Sequence, residues 1–228
     1  MTIAQIETDV ISCRKCPRLV EFREKIAREK RKSYLDWNYW GKAVPGYGSP
    51  KAKLMILGLA PAAHGGNRTG RVFTGDKSAD FLFKCLHYVG LANQAKSDHR
   101  EDGLKLDAYI TAAVKCVPPG DKPTAEEKDT CESYLSREFE SLKNLKIVLA
   151  LGKIGFDSCL KLVRKTYPFK MKEFKFEHGV RYELPNEVES NEKIELSKYL
   201  FNNYDGKILD AGNTLQGLLY VKITDPPG

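Results

Sequence analysis

KLMILGLAPAAHGGNRTGRVFTGDKSADFL, residues 53–82, decides the fold. It opens on a continuous apolar run, KLMILGLA (53–60), crosses a loop of small residues, and resumes as an amphipathic helical pattern near Lys77-Ser78. A strand that is apolar at successive positions is buried on both faces, and a strand followed by such a helix is half of a βαβ unit. Outward from this stretch the same grammar recurs in DAYITAAV (107–114), LKIVLALG (145–152) and GLLYVKIT (217–224), each bounded by Gly, Pro or charged residues. Helical patterns fall at 77–91, 124–142 and 153–165. The second opens on a capping box, with Thr124 as cap and Glu127 three residues on. The alternation predicts one α/β domain with a mostly parallel sheet covered on both faces. The first fifty residues read as a helix followed by a Trp/Tyr/Gly-rich loop, DWNYWGKAVPGYGSP (36–50). Region 172–216 reads differently, with a hairpin expected at FKFEHGVRYEL and a polar insertion around 186–213.

Ligands of open parallel sheets bind in the crevice outside the carboxyl ends of the strands, so the loops that follow the strands are the places to look. The first, GLAPAAHGGNRTGRVFTGDKSADF (58–81), carries His64, Asn67, Arg68, Arg71 and Asp76 among small residues. Gly65, Gly66, Gly70 and Gly75 permit close approach of backbone to a ligand, and Phe73 offers an aromatic face to a flat base. The loop has neither the P-loop spacing nor the dinucleotide fingerprint. The plainer reading of Asp76 is a helix cap, and of His64 a structural hydrogen bond. The second loop is KCVPPGDKPT (115–124) and the third is the Gly152-Lys153 turn.

Four of the six cysteines form two clusters. Cys13 and Cys16 lie in Cys-Arg-Lys-Cys-Pro, and Cys116 and Cys131 follow about a hundred residues later. A C-x2-C turn presents two thiolates to one centre, and the distant pair can complete a four-thiolate shell suited to zinc or an iron–sulfur cluster. The fourteen residues between Cys116 and Cys131 are not the second C-x2-C of a zinc ribbon, which favours [4Fe–4S]. Cys85 and Cys159 sit in apolar helical patterns and read as buried thiols.

With 228 residues, 42% of them hydrophobic, the chain can bury a substantial core. No run of eighteen apolar residues offers a membrane span, and the start lacks the layout of a signal peptide. An intracellular, cytoplasmic and nucleoid-associated protein is expected, where paired cysteines serve as metal ligands rather than disulfides. The net charge of +7 favours a polyanionic partner, and part of the excess is local to EFREKIAREKRKSY (21–34).

The run GLAPAAHGGNRTGRVFTGDKSADFL, with CRKCPRLV upstream and KCVPPGDKPT…C downstream, resembles the family 5 (type B) uracil-DNA glycosylases. The three motifs occur in the right order and the match spans most of 10–155. The resemblance implies a three-layer α/β sandwich with a central four-stranded, mostly parallel sheet, formed as a single domain over 1–228. It implies excision of uracil from DNA to leave an abasic site, with tolerance for bases such as hypoxanthine or xanthine. DNA containing such bases is the expected partner and a monomer the expected state, with a sliding-clamp contact left open. Cys13, Cys16, Cys116 and Cys131 take the positions of the [4Fe–4S] ligands, in a structural role. Asp76 takes the place of the polar residue that assists water attack, with His64 as a second catalytic candidate. Gly58, Ala60, Phe73, Gly75 and Ala112 are candidate base contacts. By loop position, Asn67, Arg68, Arg71, Lys122 and Lys153 are candidates for contact with the DNA.

Three departures from the family pattern matter. Ala62 and Ala63 fill the stretch where relatives often carry a water-activating Asp or Asn, as is usual in this branch. Ala112 stands where family 4 enzymes have a base-reading Asn, which suits broader base specificity, and Asp121 stands where an Asn is common. The family's last strand usually leads into His-Pro-Ser-x-x-Asn. Here GLLYVKIT is followed by Asp225-Pro226-Pro227-Gly228, and no histidine follows His178, which resembles a hairpin position. A truncated or altered carboxyl terminus is therefore expected, and loss of that histidine costs on the order of 10²–10³ in rate. The rival readings are a catalytically impaired Fe–S nucleic-acid-binding protein, a radical enzyme (which needs a closely spaced cysteine triplet), and a zinc-stabilised binding domain.

Overall fold

A computed structural model describes residues 2–166, 169–177, 179–183 and 218–222 of the chain. All four apolar runs are strands: β2 (Leu54–Gly58), β3 (Tyr109–Ala112), β4 (Ile147–Leu151) and β6 (Leu218–Lys222). They form the centre of a sheet in the order β3-β2-β4-β6, widened at its edges by β1 (Tyr47–Gly48) and β5 (Arg181–Glu183). β2 runs parallel to both β3 and β4, while β6 is antiparallel to β4. Every residue of β2, β3 and β4 is buried, which accounts for their continuous apolarity.

Alternate residues of each strand serve opposite layers. Met55, Leu57, Tyr109, Val148 and Ala150 face one core with Leu135, Phe156, Cys159 and Leu160. These come from α5 (Ala125–Ser141) and α6 (Lys153–Val163). Leu54, Ile56, Ile110, Ala112, Ile147 and Leu149 face the other core, with Leu82, Phe83 and Leu86 of α4 (Lys77–Tyr88). This is the expected three-layer sandwich. The capping box at Thr124 and Glu127 is present in both directions. Cys85 and Cys159 are buried core thiols, as their helical patterns imply.

The amino terminus forms two helices rather than one, α1 (Ile3–Ile11) and α2 (Pro17–Glu29). Proline starts a helix well at its first turn, and Pro17 begins the second after the Cys13–Cys16 turn. The expected hairpin at 174–184 is not formed among the described residues: β5 pairs parallel with β6, joining a strand distant in sequence. His178 and residues 223–228 lie outside the described residues.

Candidate active site and thiolate centre

The first loop folds over the ends of β2 and β3, where Gly58 and Ala112 stand in register. A Cβ at Gly58 would collide with the ring of Phe73, so the missing side chain seats that ring on the strand end. Phe73 has φ 49°, an uncommon conformation for a bulky side chain, held by its surroundings. Ala112 is 1% exposed and packs in the core beneath, so its side chain helps form the floor rather than face a ligand. Ala60 is partly buried against the cysteine-bearing cluster.

Asp76 is the N-cap of α4. Its Oδ1 accepts from Ala79 N at 2.9 Å, while Oδ2 leans over Gly65, where a Cβ would meet it. Burial raises its pKa above the usual carboxylate value, against backbone N–H groups of Ala79 and Ser78 that lower it. Capping thus engages one carboxylate oxygen and leaves the other lying against the pocket loop. His64 is half-buried with Nδ1 3.0 Å from Tyr39 Oη, and its Nε2 makes no hydrogen bond among the described residues. Burial, then Arg31 and Arg68, hold its pKa below the ordinary imidazole value, which keeps it neutral at neutral pH.

Three expected DNA contacts point inward instead. Asn67 is 1% exposed and donates from Nδ2 to the Arg23 carbonyl at 3.1 Å. Arg68 is buried between Tyr34 and Trp37, its guanidinium 4.0 Å from each ring centroid, and donates to the carbonyls of His64 (2.6 Å) and Gly75 (2.8 Å). Arg71 forms a buried bidentate pair with Asp102, at 2.5 and 3.0 Å, and also reaches Ser97. A small-residue loop has little apolar bulk of its own, so these cations become its internal struts. Lys122 and Lys153 are exposed, and Lys153 is paired with Asp157. Sequence reasoning missed Tyr34, Trp37 and Tyr39, although the aromatic run 34–40 was the visible signal. Trp40 and Gly41 donate backbone N–H bonds to Arg68 and Asn67, joining that run to the loop.

On the adjoining side, Cys13, Cys16, Cys116 and Cys131 line one cavity with Leu19, Val20 and Tyr134. Cys13 follows α1, Cys16 caps α2, Cys116 lies beyond β3, and Cys131 is on the buried face of α5. Arg23 Nη1 donates to Cys116 Sγ at 3.0 Å, and Lys115 N donates to Cys131 Sγ at 3.2 Å. The buried Nε of Arg23 has no partner among the described residues. Burial pushes the Cys116 thiol up to about 11 and the Cys131 thiol up to about 12. As bare thiols both are protonated at neutral pH, and a bound metal centre would displace those protons. Among the described residues no group of three or more His, Cys, Asp or Glu is placed to hold a single metal ion. Four soft donors around one cavity, with N–H donors aimed at their sulfurs, fit a polynuclear centre with a hydrogen-bonded outer shell. Beneath it, Lys115 Nζ lies 2.7 Å from Glu138 Oε2, which also accepts from Thr111 at 2.8 Å.

The site thus sets a small-residue loop over the strand ends of a three-layer α/β fold, with a cysteine-lined cavity beside it. The family profile described as the uracil DNA glycosylase superfamily matches residues 45–209, and the chain belongs to that superfamily. Within it, the chain is 47% identical over 174 residues to a type-5 uracil-DNA glycosylase of Pyrobaculum aerophilum, covering 75% of this chain and 76% of that protein. It is 44% identical over 185 residues to a type-5 enzyme of Mycobacterium bovis (80% and 68% of the two chains). With the type-5 enzyme of Thermus thermophilus the identity is 41% over 177 residues (76% and 77%). No helix among the described residues is long and apolar enough to cross a membrane.

Proposed function

We propose that this protein excises uracil from DNA by hydrolysing its N-glycosidic bond, leaving an abasic site for repair. The similarity to type-5 uracil-DNA glycosylases over three-quarters of the chain supports the activity. One geometric observation carries the assignment of the chemistry to a residue: the Asp76 carboxylate, with one oxygen fixed by the α4 cap and the other over Gly65. In this reading that second oxygen orients the attacking water and stabilises the oxocarbenium character of the sugar. Neutral His64, with Tyr39 donating to its Nδ1, carries its proton on Nε2 and donates to the departing uracil anion. Phe73, seated on Gly58, stacks on the base once it has left the duplex. Hypoxanthine and xanthine are further candidate substrates.

Cys13, Cys16, Cys116 and Cys131 are the residues that would hold a [4Fe–4S] cluster. Bound there, the cluster would supply a structural cross-link among the turn after α1, the segment after β3, and α5. Lys122 and Lys153 are the remaining candidates for flanking phosphates.

The test is a glycosylase assay on uracil-, hypoxanthine- and xanthine-containing oligonucleotides, with alkali to reveal abasic sites. Uracil cleavage by the wild type, lost in Asp76→Ala, supports the assignment. Absence of cleavage by iron-loaded protein would leave a nucleic-acid-binding protein in its place.

A further inference from the structure

Arg23 touches both the cavity of cysteines and the loop that follows β2. Arg23 is on α2, 1% exposed, and its guanidinium makes two contacts: Nη1 with Cys116 Sγ at 3.0 Å and Nη2 with the Cys13 carbonyl at 2.9 Å. It therefore ties the amino-terminal turn to the segment after β3, with Cys116 lying 93 residues beyond Arg23 in sequence. The same residue's backbone carbonyl accepts from Asn67 Nδ2 at 3.1 Å. Asn67 is fully committed within the pocket loop, its N–H going to the Ala62 carbonyl and its own carbonyl accepting from Gly41 N. Asn67 lies on α3 (Gly66–Thr69), the short turn that follows His64 and carries Arg68. A buried, charged side chain is costly unless its surroundings use it. Here one end is spent on the sulfur shell and the other end of the residue holds the loop that bears His64 and Asp76.

We infer that Arg23 is a positioning residue that couples the thiolate centre to the base pocket. Its N–H donation to Cys116 tunes the centre, and its carbonyl holds Asn67 and with it the turn that follows His64 and carries Arg68. The inference rests on the iron–sulfur reading above and adds to it a specific route from the centre to the site. A charge-assisted N–H bond to a ligand sulfur withdraws electron density, so it raises the reduction potential of the centre and slows loss of iron.

The experiment uses the full iron-loaded chain with Arg23→Met, Asn67→Ala and the double variant. Iron and acid-labile sulfide are quantified, the midpoint is read by redox titration followed by electron paramagnetic resonance, and excision is measured in single turnover. Arg23→Met should lower the midpoint and, with loss of the outer-shell contact, weaken iron retention and excision by roughly 10–100-fold. Asn67→Ala should leave the midpoint at the wild-type value and lower excision. The double variant should excise no more slowly than the slower single variant, because both interrupt one route. An unshifted midpoint in Arg23→Met, or fully multiplicative losses in the double variant, overturns the inference. If Arg23→Met does not fold, Arg23→Lys carries the test. An ammonium lacks the planar fork by which Nη1 and Nη2 span Cys116 and Cys13, so wild-type midpoint and wild-type iron release in that variant would overturn it. A wild type that excises uracil without iron overturns the centre and this coupling together. A wild type that holds iron, beside an unshifted Arg23→Met, overturns the coupling alone.

Discussion

The second carboxylate oxygen of Asp76 occupies the space that a Cβ on Gly65 would need. The glycine therefore decides where that oxygen points, while the α4 cap fixes its partner. Three substitutions separate these roles. Gly65→Ala should displace the carboxylate and lower uracil excision with little change in melting. Asp76→Asn keeps a good cap but loses the base, so excision should fall by roughly 10²–10⁴-fold with stability retained. Asp76→Ala should lose both, with about 1 kcal/mol of stability gone as well. Single-turnover kinetics beside thermal melts read each case.

The pH profile follows from the same residue. Burial raises the Asp76 pKa, and water activation needs its ionised form. Activity should therefore be full above that raised value and fall as pH drops through it, placing the acid limb at higher pH than an ordinary aspartate would give. The residual activity of Asp76→Asn should lack this limb. His64 is held neutral, so no limb belonging to it is expected at the usual imidazole value.

Acid should also loosen the loop through a different pair. Burial works against ionised Asp102, but the Arg71 guanidinium and the N–H groups of Asp98 and Leu104 hold it at about 2, from an ordinary 3.8. A depressed carboxylate stabilises the fold above its unfolded value, and that stability is lost as pH falls through the folded one. The shift corresponds to about 2 kcal/mol, declining between roughly pH 5 and pH 2. Asp102→Ala should cost about 3–5 kcal/mol at neutral pH, because it strands buried Arg71. Denaturant titrations at pH 7 and pH 3 measure both.

Salt dependence of DNA binding should sort the basic residues by exposure. Lys122 has no side-chain partner among the described residues, so Lys122→Ala should reduce the slope of log K against log salt by about 0.9 if it contacts one phosphate. Lys153→Ala should do less, since Lys153 is already neutralised by Asp157. Arg71→Ala should lower stability and leave the slope where it is.

Cys131→Ser should abolish iron binding in absorbance and metal analysis. It should also lower the melting temperature more than Cys85→Ser, whose thiol lies in the α4 core away from the cavity.

Much of this architecture was legible in the residues. The four apolar runs became strands because full burial on two faces leaves an unbroken apolar record, and Thr124 with Glu127 marked α5 because capping is local chemistry. The cysteine spacing anticipated the cavity for a related reason, since two thiols in one short turn must share a neighbourhood. What local pattern did not carry was the fate of long polar side chains. Arg68 and Arg71 look like phosphate contacts in a glycine-rich loop, yet their partners, Tyr34, Trp37 and Asp102, are brought in from elsewhere in the chain. The direction of β6 and its parallel pairing with β5 were hidden for the same reason, because strand order is settled by long-range packing.

The two halves of the cysteine cavity are separated by about a hundred residues, and this bears on how the protein is made. Cys131 leaves the ribosome 118 residues after Cys13, roughly 6–24 s later at ordinary synthesis rates. A four-thiolate shell cannot close before then, so the nascent chain must pass through a stage in which the Cys13–Cys16 turn offers only two donors. Were the proposed cluster to form here, its loading would be a late step of biogenesis, after β2 and β3 are available to frame the cavity. Cells short of iron or rich in oxidants would then meet this protein at its most exposed moment during synthesis, before the fold has enclosed its sulfurs.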